Sequence, residues 1–138
     1  MAKQINLENF FTEDREREGV WHEAMVDDKS SGLEFLLVGI HSEYVAARLE
    51  EIDKQSDEVR SSDLTDEEKI EKLEELDADR VAVLTKNIRA KDGSELMIDG
   101  KPIIFSEELA KEFYKKCPSI KMDNIDFVLK SSSFMILD

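Results

Sequence analysis

Two histidines, a single cysteine and a large surplus of carboxylates are the side chains of this 138-residue sequence with the most obvious capacity for chemistry. A zinc site needs three or four His, Cys or carboxylate ligands at short spacing, and His22, His41 and Cys117 lie far more than a helical turn apart. Residues 27–32, Asp-Asp-Lys-Ser-Ser-Gly, open like a calcium loop. Lys29, however, takes the third ligand position, and Val38 stands at the twelfth, where a carboxylate is required. A solvated hairpin loop accounts for them better. With five glycines in all, the chain has neither a phosphate loop ending in Gly-Lys-Ser or Gly-Lys-Thr nor a dinucleotide fingerprint. No metal and no cofactor are expected.

Carboxylate pairs occur at Glu50-Glu51, Glu67-Glu68 and Glu74-Glu75. A glycosidase-like acid and nucleophile would need a concave apolar setting to separate two carboxyl pKa values, whereas these pairs fall on the polar sides of expected helices. Lys69 and Lys72 stand among them at spacings that permit weak helical ion pairs. His22, beside Trp21 in an expected strand, and His41, at a strand end, read as structural or surface histidines, since no nucleophile can be assigned to either. The expectation is a protein that is not an enzyme.

Lys and Arg number 19 against 33 Asp and Glu, a formal net charge of -14. Such a field repels phosphates and anionic headgroups, so neither nucleic acid nor a membrane surface is an expected partner. Cys117 cannot form an intramolecular disulfide and reads as a small buried hydrophobe in a helical run over 107–117. The opening residues lack the apolar stretch of a signal peptide, and no segment approaches a membrane span, which points to the cytoplasm.

The elements that must position these residues follow from periodicity and punctuation. Ile5, Leu7, Phe10 and Phe11 precede the charge run 13–18, where Asn9 or Thr12 could cap a short helix. Segments 20–26 and 33–40, rich in branched and aromatic residues, predict a hairpin over 20–40 with a polar loop at 27–32. Ser42 caps a helix over 42–60 whose apolar stripe is Val45, Leu49, Ile52 and Val59. Thr65 and Glu68 have the spacing of a capping box, opening a second helix over 65–90 with the stripe Ile70, Leu73, Val81, Leu84 and Ile88 and a stop at Gly93.

The two helices should form an antiparallel helical hairpin. Asp99-Gly100 predicts a tight turn between 96–98 and 101–105, with Pro102 confining the second arm to an edge. Ser106 caps a helix carrying Leu109, Phe113 and Tyr114 that Pro118 ends, and a last helix from Ser119 carries Ile125, Val128 and Leu129 on one face. The fold class is therefore α+β, mainly helical, in one domain spanning 1–138.

Two segments carry more than periodicity: Phe10-Phe11-Thr12-Glu13-Asp14-Arg15-Glu16-Arg17-Glu18-Gly19-Val20-Trp21, and Ile125-Asp126-Phe127-Val128-Leu129-Lys130 followed by Phe134-Met135. With the acidic hairpin-plus-helices layout between them, the chain resembles the tail assembly chaperones of long-tailed bacteriophages over nearly its whole length. The resemblance implies a non-enzymatic helper made in the cytoplasm of the infected bacterium. It would coat the tape measure protein, keep it soluble and recruit tail-tube subunits before leaving the finished tail. Such proteins are often also made as a longer frameshifted form. Phe10, Phe11, Trp21, Phe127, Phe134 and Met135 are the candidate partner-binding residues, for the client or for a homo-oligomer, although each of the aromatics taken singly reads first as core, since large aromatics dominate cores. The run Phe134-Met135-Ile136-Leu137 must be covered either by the domain itself or by a partner.

Two other functions fit the composition. A virion structural protein, such as a head-tail connector or minor tail component, would be found in purified particles. An acidic DNA mimic would bind a basic host DNA-binding protein at low salt and release it at high salt, although the 19 basic residues interrupt any continuous phosphate-like array.

Overall fold

The hairpin expected over 20–40 ends its second strand at Leu37 and closes around a tighter turn than its sequence predicts. In the computed structural model, which describes residues 2–137, β1 (Val20–Val26) and β2 (Lys29–Leu37) pair antiparallel, with Val26 opposite Lys29 and Val20 opposite Leu37. Asp27 and Asp28 alone make the connection, both at positive φ (50° and 63°), the backbone of a two-residue turn that matches the twist of the strands. Aspartate tolerates this conformation better than most residues because its short polar side chain bonds locally. The rest of the expected loop, 29–32, is strand. Gly32, at φ 78°, sits where the register shifts between Glu23 and Met25.

Helix α2 (Glu43–Arg60) and helix α3 (Asp66–Val83) form the expected helical hairpin. Their antiparallel packing is fixed at two levels: Lys69 donates to the Arg60 carbonyl near the turn, and Arg80 donates to Asp53 and Ser56 further along. The Thr65–Glu68 capping box is formed in both directions, an arrangement that contributes about 1 kcal/mol. Ser42 stands at the N-cap position of α2, but its hydroxyl accepts no amide there, contrary to the expected cap.

The second helix ends at Val83, and the expectation of helix through residue 90 is wrong. Residues Thr85–Ala90 form β3, antiparallel to β2, with Thr85 opposite Leu37 and Ala90 opposite Leu33. Leu84 and Ile88 satisfy helical spacing, yet Thr85, Ile88 and Ala90 are the buried residues of an extended segment whose other side chains are polar. Tertiary context decides between the two, because β2 runs into the core at Phe35 and Leu37 and would otherwise leave the backbone groups of one edge there without partners. Gly93 does adopt the expected left-handed conformation (φ 81°), but it turns the chain out of a strand, its amide donating to the Ala90 carbonyl.

A small hairpin follows, β4 (Met97–Ile98) with β5 (Lys101–Pro102), turning at Asp99 and Gly100, both at positive φ (54° and 78°). The hydroxyl of Ser106 accepts the Leu109 amide at 3.0 Å and caps α4 (Glu107–Lys116). Pro118 both stops α4 and opens α5 (Pro118–Leu129), the first-turn position where its missing amide costs nothing. Cys117 is the half-buried junction between the two rather than part of a helix. The inward face of α5 carries Ile120, Asn124 and Val128, whereas Leu129, expected on that face, is exposed.

Before the sheet, a 3-10 turn (Leu7–Phe10) is capped by Asn6 rather than Asn9, and α1 (Glu13–Glu18) follows. The Thr12 hydroxyl donates to the Glu16 carboxylate instead of capping the backbone. One face of the three-stranded sheet, in the order β1-β2-β3, packs on the helices. Phe35 lies against Phe113 and Tyr114 of α4, and His22 stacks on Phe127 of α5. Among the described residues no helix is long and apolar enough to cross a membrane.

Candidate protein-binding surface

The six candidate partner-binding residues divide into two places. Trp21 is half-buried on the sheet, with the Arg89 guanidinium 3.8 Å above its ring and Arg89 itself held by Glu34 at 2.7 Å. His22, its neighbour in the strand, points the other way into α5, so Trp21 stands on the face that the helices leave open. The other five gather where the segment before α1 meets the segment after α5. Phe134 is 2% exposed there and packs on half-buried Phe127, ring centroids 5.9 Å apart. It is core, not surface. Met135 is half-buried, and Phe10 and Phe11 are exposed.

One side chain draws these segments together. Arg15, on α1, donates from Nε to the Phe134 carbonyl at 2.6 Å and from Nη2 to the carbonyls of Phe11 at 3.0 Å and Asn9 at 3.4 Å. A guanidinium can do this because its donors are fixed in one plane, and hydrogen bonds from a charged donor are the stronger kind. The Ile136 amide adds a backbone bond to the Asn9 carbonyl at 2.7 Å. Helix α1 is in turn pinned to the sheet: the Gly39 amide donates to the Glu16 carbonyl at 2.8 Å, and only a residue without Cβ fits, since a methyl group at Gly39 would run into the Glu16 side chain.

The result is an apolar surface built from two distant parts of the chain. Phe11 is 62% exposed, and Ile5, Leu7, Phe10, Leu129, Ile136 and Leu137 also face solvent. Phe10, Phe11 and Ile136 line a shallow groove, and Phe10 also borders a neighbouring cleft with Ile40, Leu129 and Met135. Phe10, Phe11, Leu129 and Ile136 are the exposed apolar side chains that these two hollows bring together. Scattered elsewhere, Met97, Ile98 and Ile104 make a smaller exposed group on and after the β4–β5 hairpin.

Two polar constellations escaped the sequence reading because their members are far apart in the chain. His22 Nε2 lies 2.7 Å from Asp123 Oδ2, an oxygen that also accepts the Met25 amide at 2.9 Å. A carboxylate ties the histidine and the outer edge of β1 to α5, and among the described residues no hydroxyl or thiol nucleophile bonds to the pair. In the core, Thr85 donates to the Val81 carbonyl at 2.8 Å, so its oxygen accepts from the Tyr114 hydroxyl at 2.7 Å. Asn124 Nδ2 donates to the same phenol oxygen at 2.9 Å. Burial pushes the Tyr114 hydroxyl up to about 12, against the opposing hydrogen bonds of Thr85 and Asn124, which keeps it neutral and joins β3, α4 and α5. Among the described residues, no three His, Cys, Asp or Glu side chains converge as metal ligands would. No protein-family model matches the chain, and neither a curated protein nor a solved structure is significantly similar to it.

Proposed function

We propose that this chain is a non-enzymatic assembly factor that binds an apolar segment of a client protein, in the manner of a phage tail assembly chaperone holding the tape measure protein soluble and recruiting tail-tube subunits in the host cytoplasm. The observation that carries the reading is the exposed apolar surface at Phe10, Phe11 and Ile136, held in place by Arg15 on a chain whose net charge of -14 keeps it dispersed. Burial of a few large apolar side chains at the centre of a surface supplies most of the energy of a protein contact. Phe134 stands beneath this surface as its support, and Phe10 and Phe11 are the residues that meet the client. The test is co-expression with the tape measure protein of the same phage: the client should stay in the soluble fraction and co-purify with the wild-type chain. A client that precipitates equally with and without this chain sinks the proposal.

A further inference from the structure

The groove at Phe10, Phe11 and Ile136 has a charged rim that bears on what it can accept. Its lining includes Glu8, Glu13, Asp14 and Arg15. The one cation among them is consumed from within, since Arg15 points its donors at the carbonyls of Asn9, Phe11 and Phe134. Asp14 is paired with Arg17 at 2.9 Å. Among the described residues, Glu8 and Glu13 have no ion-pair partner, and the carboxylate of Glu16, at the adjoining cleft, accepts only from the Thr12 hydroxyl. On their other side Glu13 and Glu16 border a cleft with Arg17 and Lys86, of which Arg17 is taken by Asp14 and Lys86 donates to the Arg17 carbonyl at 3.4 Å.

We infer that the occupant of this groove is an amphipathic segment whose apolar face is flanked by lysine or arginine. The inference rests on the protein-binding reading above and specifies its partner. An apolar floor alone would accept any hydrophobic face, including that of a second copy. A rim of unpaired carboxylates discriminates, because it attracts cationic flanks and repels anionic ones. The same rim opposes self-association, as each copy would bring its own acidic residues against the other's.

The experiment uses the full chain and two synthetic peptides with one apolar face, flanked by lysines in the first and glutamates in the second, titrated by calorimetry. The lysine peptide should bind, weaken about tenfold when salt is raised from low to high ionic strength, and bind about threefold less tightly to Glu8→Gln or Glu13→Gln. Phe11→Ser should abolish binding with the melting temperature unchanged. Equal binding of the glutamate peptide, no binding of the lysine peptide, or salt-independent binding overturns the inference, as does a chain that dimerises through Phe11 in sedimentation. Failure here and failure of the chaperone reading are separable. A tape measure client kept soluble without charge discrimination leaves the reading standing, and a lysine peptide captured without any effect on the client leaves only the inference.

Discussion

Arg15 and Phe134 meet across 119 residues of sequence, the guanidinium Nε donating to the backbone carbonyl at 2.6 Å. The bond uses the carbonyl of a residue whose ring is fully packed, so the covered Phe134 and the exposed Phe10 and Phe11 are positioned by the same cation. Arg15→Lys should break the clasp, because an ammonium cannot direct three donors in one plane. The expected loss is about 1.5–3 kcal/mol, the range for hydrogen bonds to a charged group. Hydrogen exchange at the Ile136 amide, which bonds to the Asn9 carbonyl, should quicken before the rest of the domain opens. Unchanged protection there would show that the two segments are held by other contacts.

The two phenylalanines on either side of the clasp should behave oppositely. Phe134→Ser removes a buried ring that packs on Phe127 and should cost about 3–5 kcal/mol, as large-to-small core changes do. Phe11→Ser, at a position already 62% exposed, should leave the melting temperature within a degree or two and reduce client binding. Paired thermal melts and pull-downs decide the matter. A stable Phe134→Ser protein, or an unstable Phe11→Ser protein, contradicts the division into support and contact residues.

Tyr114 makes stability depend on alkaline pH. Its folded pKa, about 12, lies above the unfolded value of about 10, so the folded state holds the proton more tightly. That stability is fully present below pH 10 and is lost as pH rises from about 10 towards 12, because the unfolded chain gives up the proton first. The contribution is on the order of 2–3 kcal/mol. Tyr114→Phe should be less stable at neutral pH by about 1–2 kcal/mol, with the Asn124 amide and the Thr85 oxygen left without their partner. It should also lose less between pH 10 and 12 than the wild type. Urea melts of both proteins across that range give the comparison, and parallel curves would assign the alkaline loss to other groups.

Gly39→Ala should displace α1. The added methyl group meets the Cβ and Cγ of Glu16, which cannot swing aside as a side-chain tip could, so the helix must move or the strand end must give. A cost of about 1–3 kcal/mol is expected from such overpacking. Because α1 carries Arg15, client binding should fall with it, unlike in an alanine exchange on the far side of the domain. Circular dichroism melts with a binding assay test both parts.

Local punctuation was legible in the sequence. Thr65 and Glu68 form their capping box, Ser106 caps α4, and Asp99-Gly100 makes its turn, because each depends on residues within a few positions of one another. The hairpin over 20–40 and the paired helices were equally readable from their apolar spacing, and so was the α+β class. Segment 84–90 satisfies both patterns: Leu84 and Ile88 stand four apart and fit a helix, while Thr85, Ile88 and Ala90 fit a buried strand. Periodicity over so short a stretch cannot choose, and the choice falls to β2, far earlier in the chain, whose edge supplies the partners that pair Leu37 with Thr85 and Leu33 with Ala90. The candidate surface shows the same division. Its apolar residues were visible as types, but whether each was core or contact depended on contacts spanning the chain. Arg15 holds the backbone of both Phe134 and Phe11, and what separates them is the ring's surroundings: Phe134 packs on Phe127 of α5, whereas Phe11 is left 62% exposed.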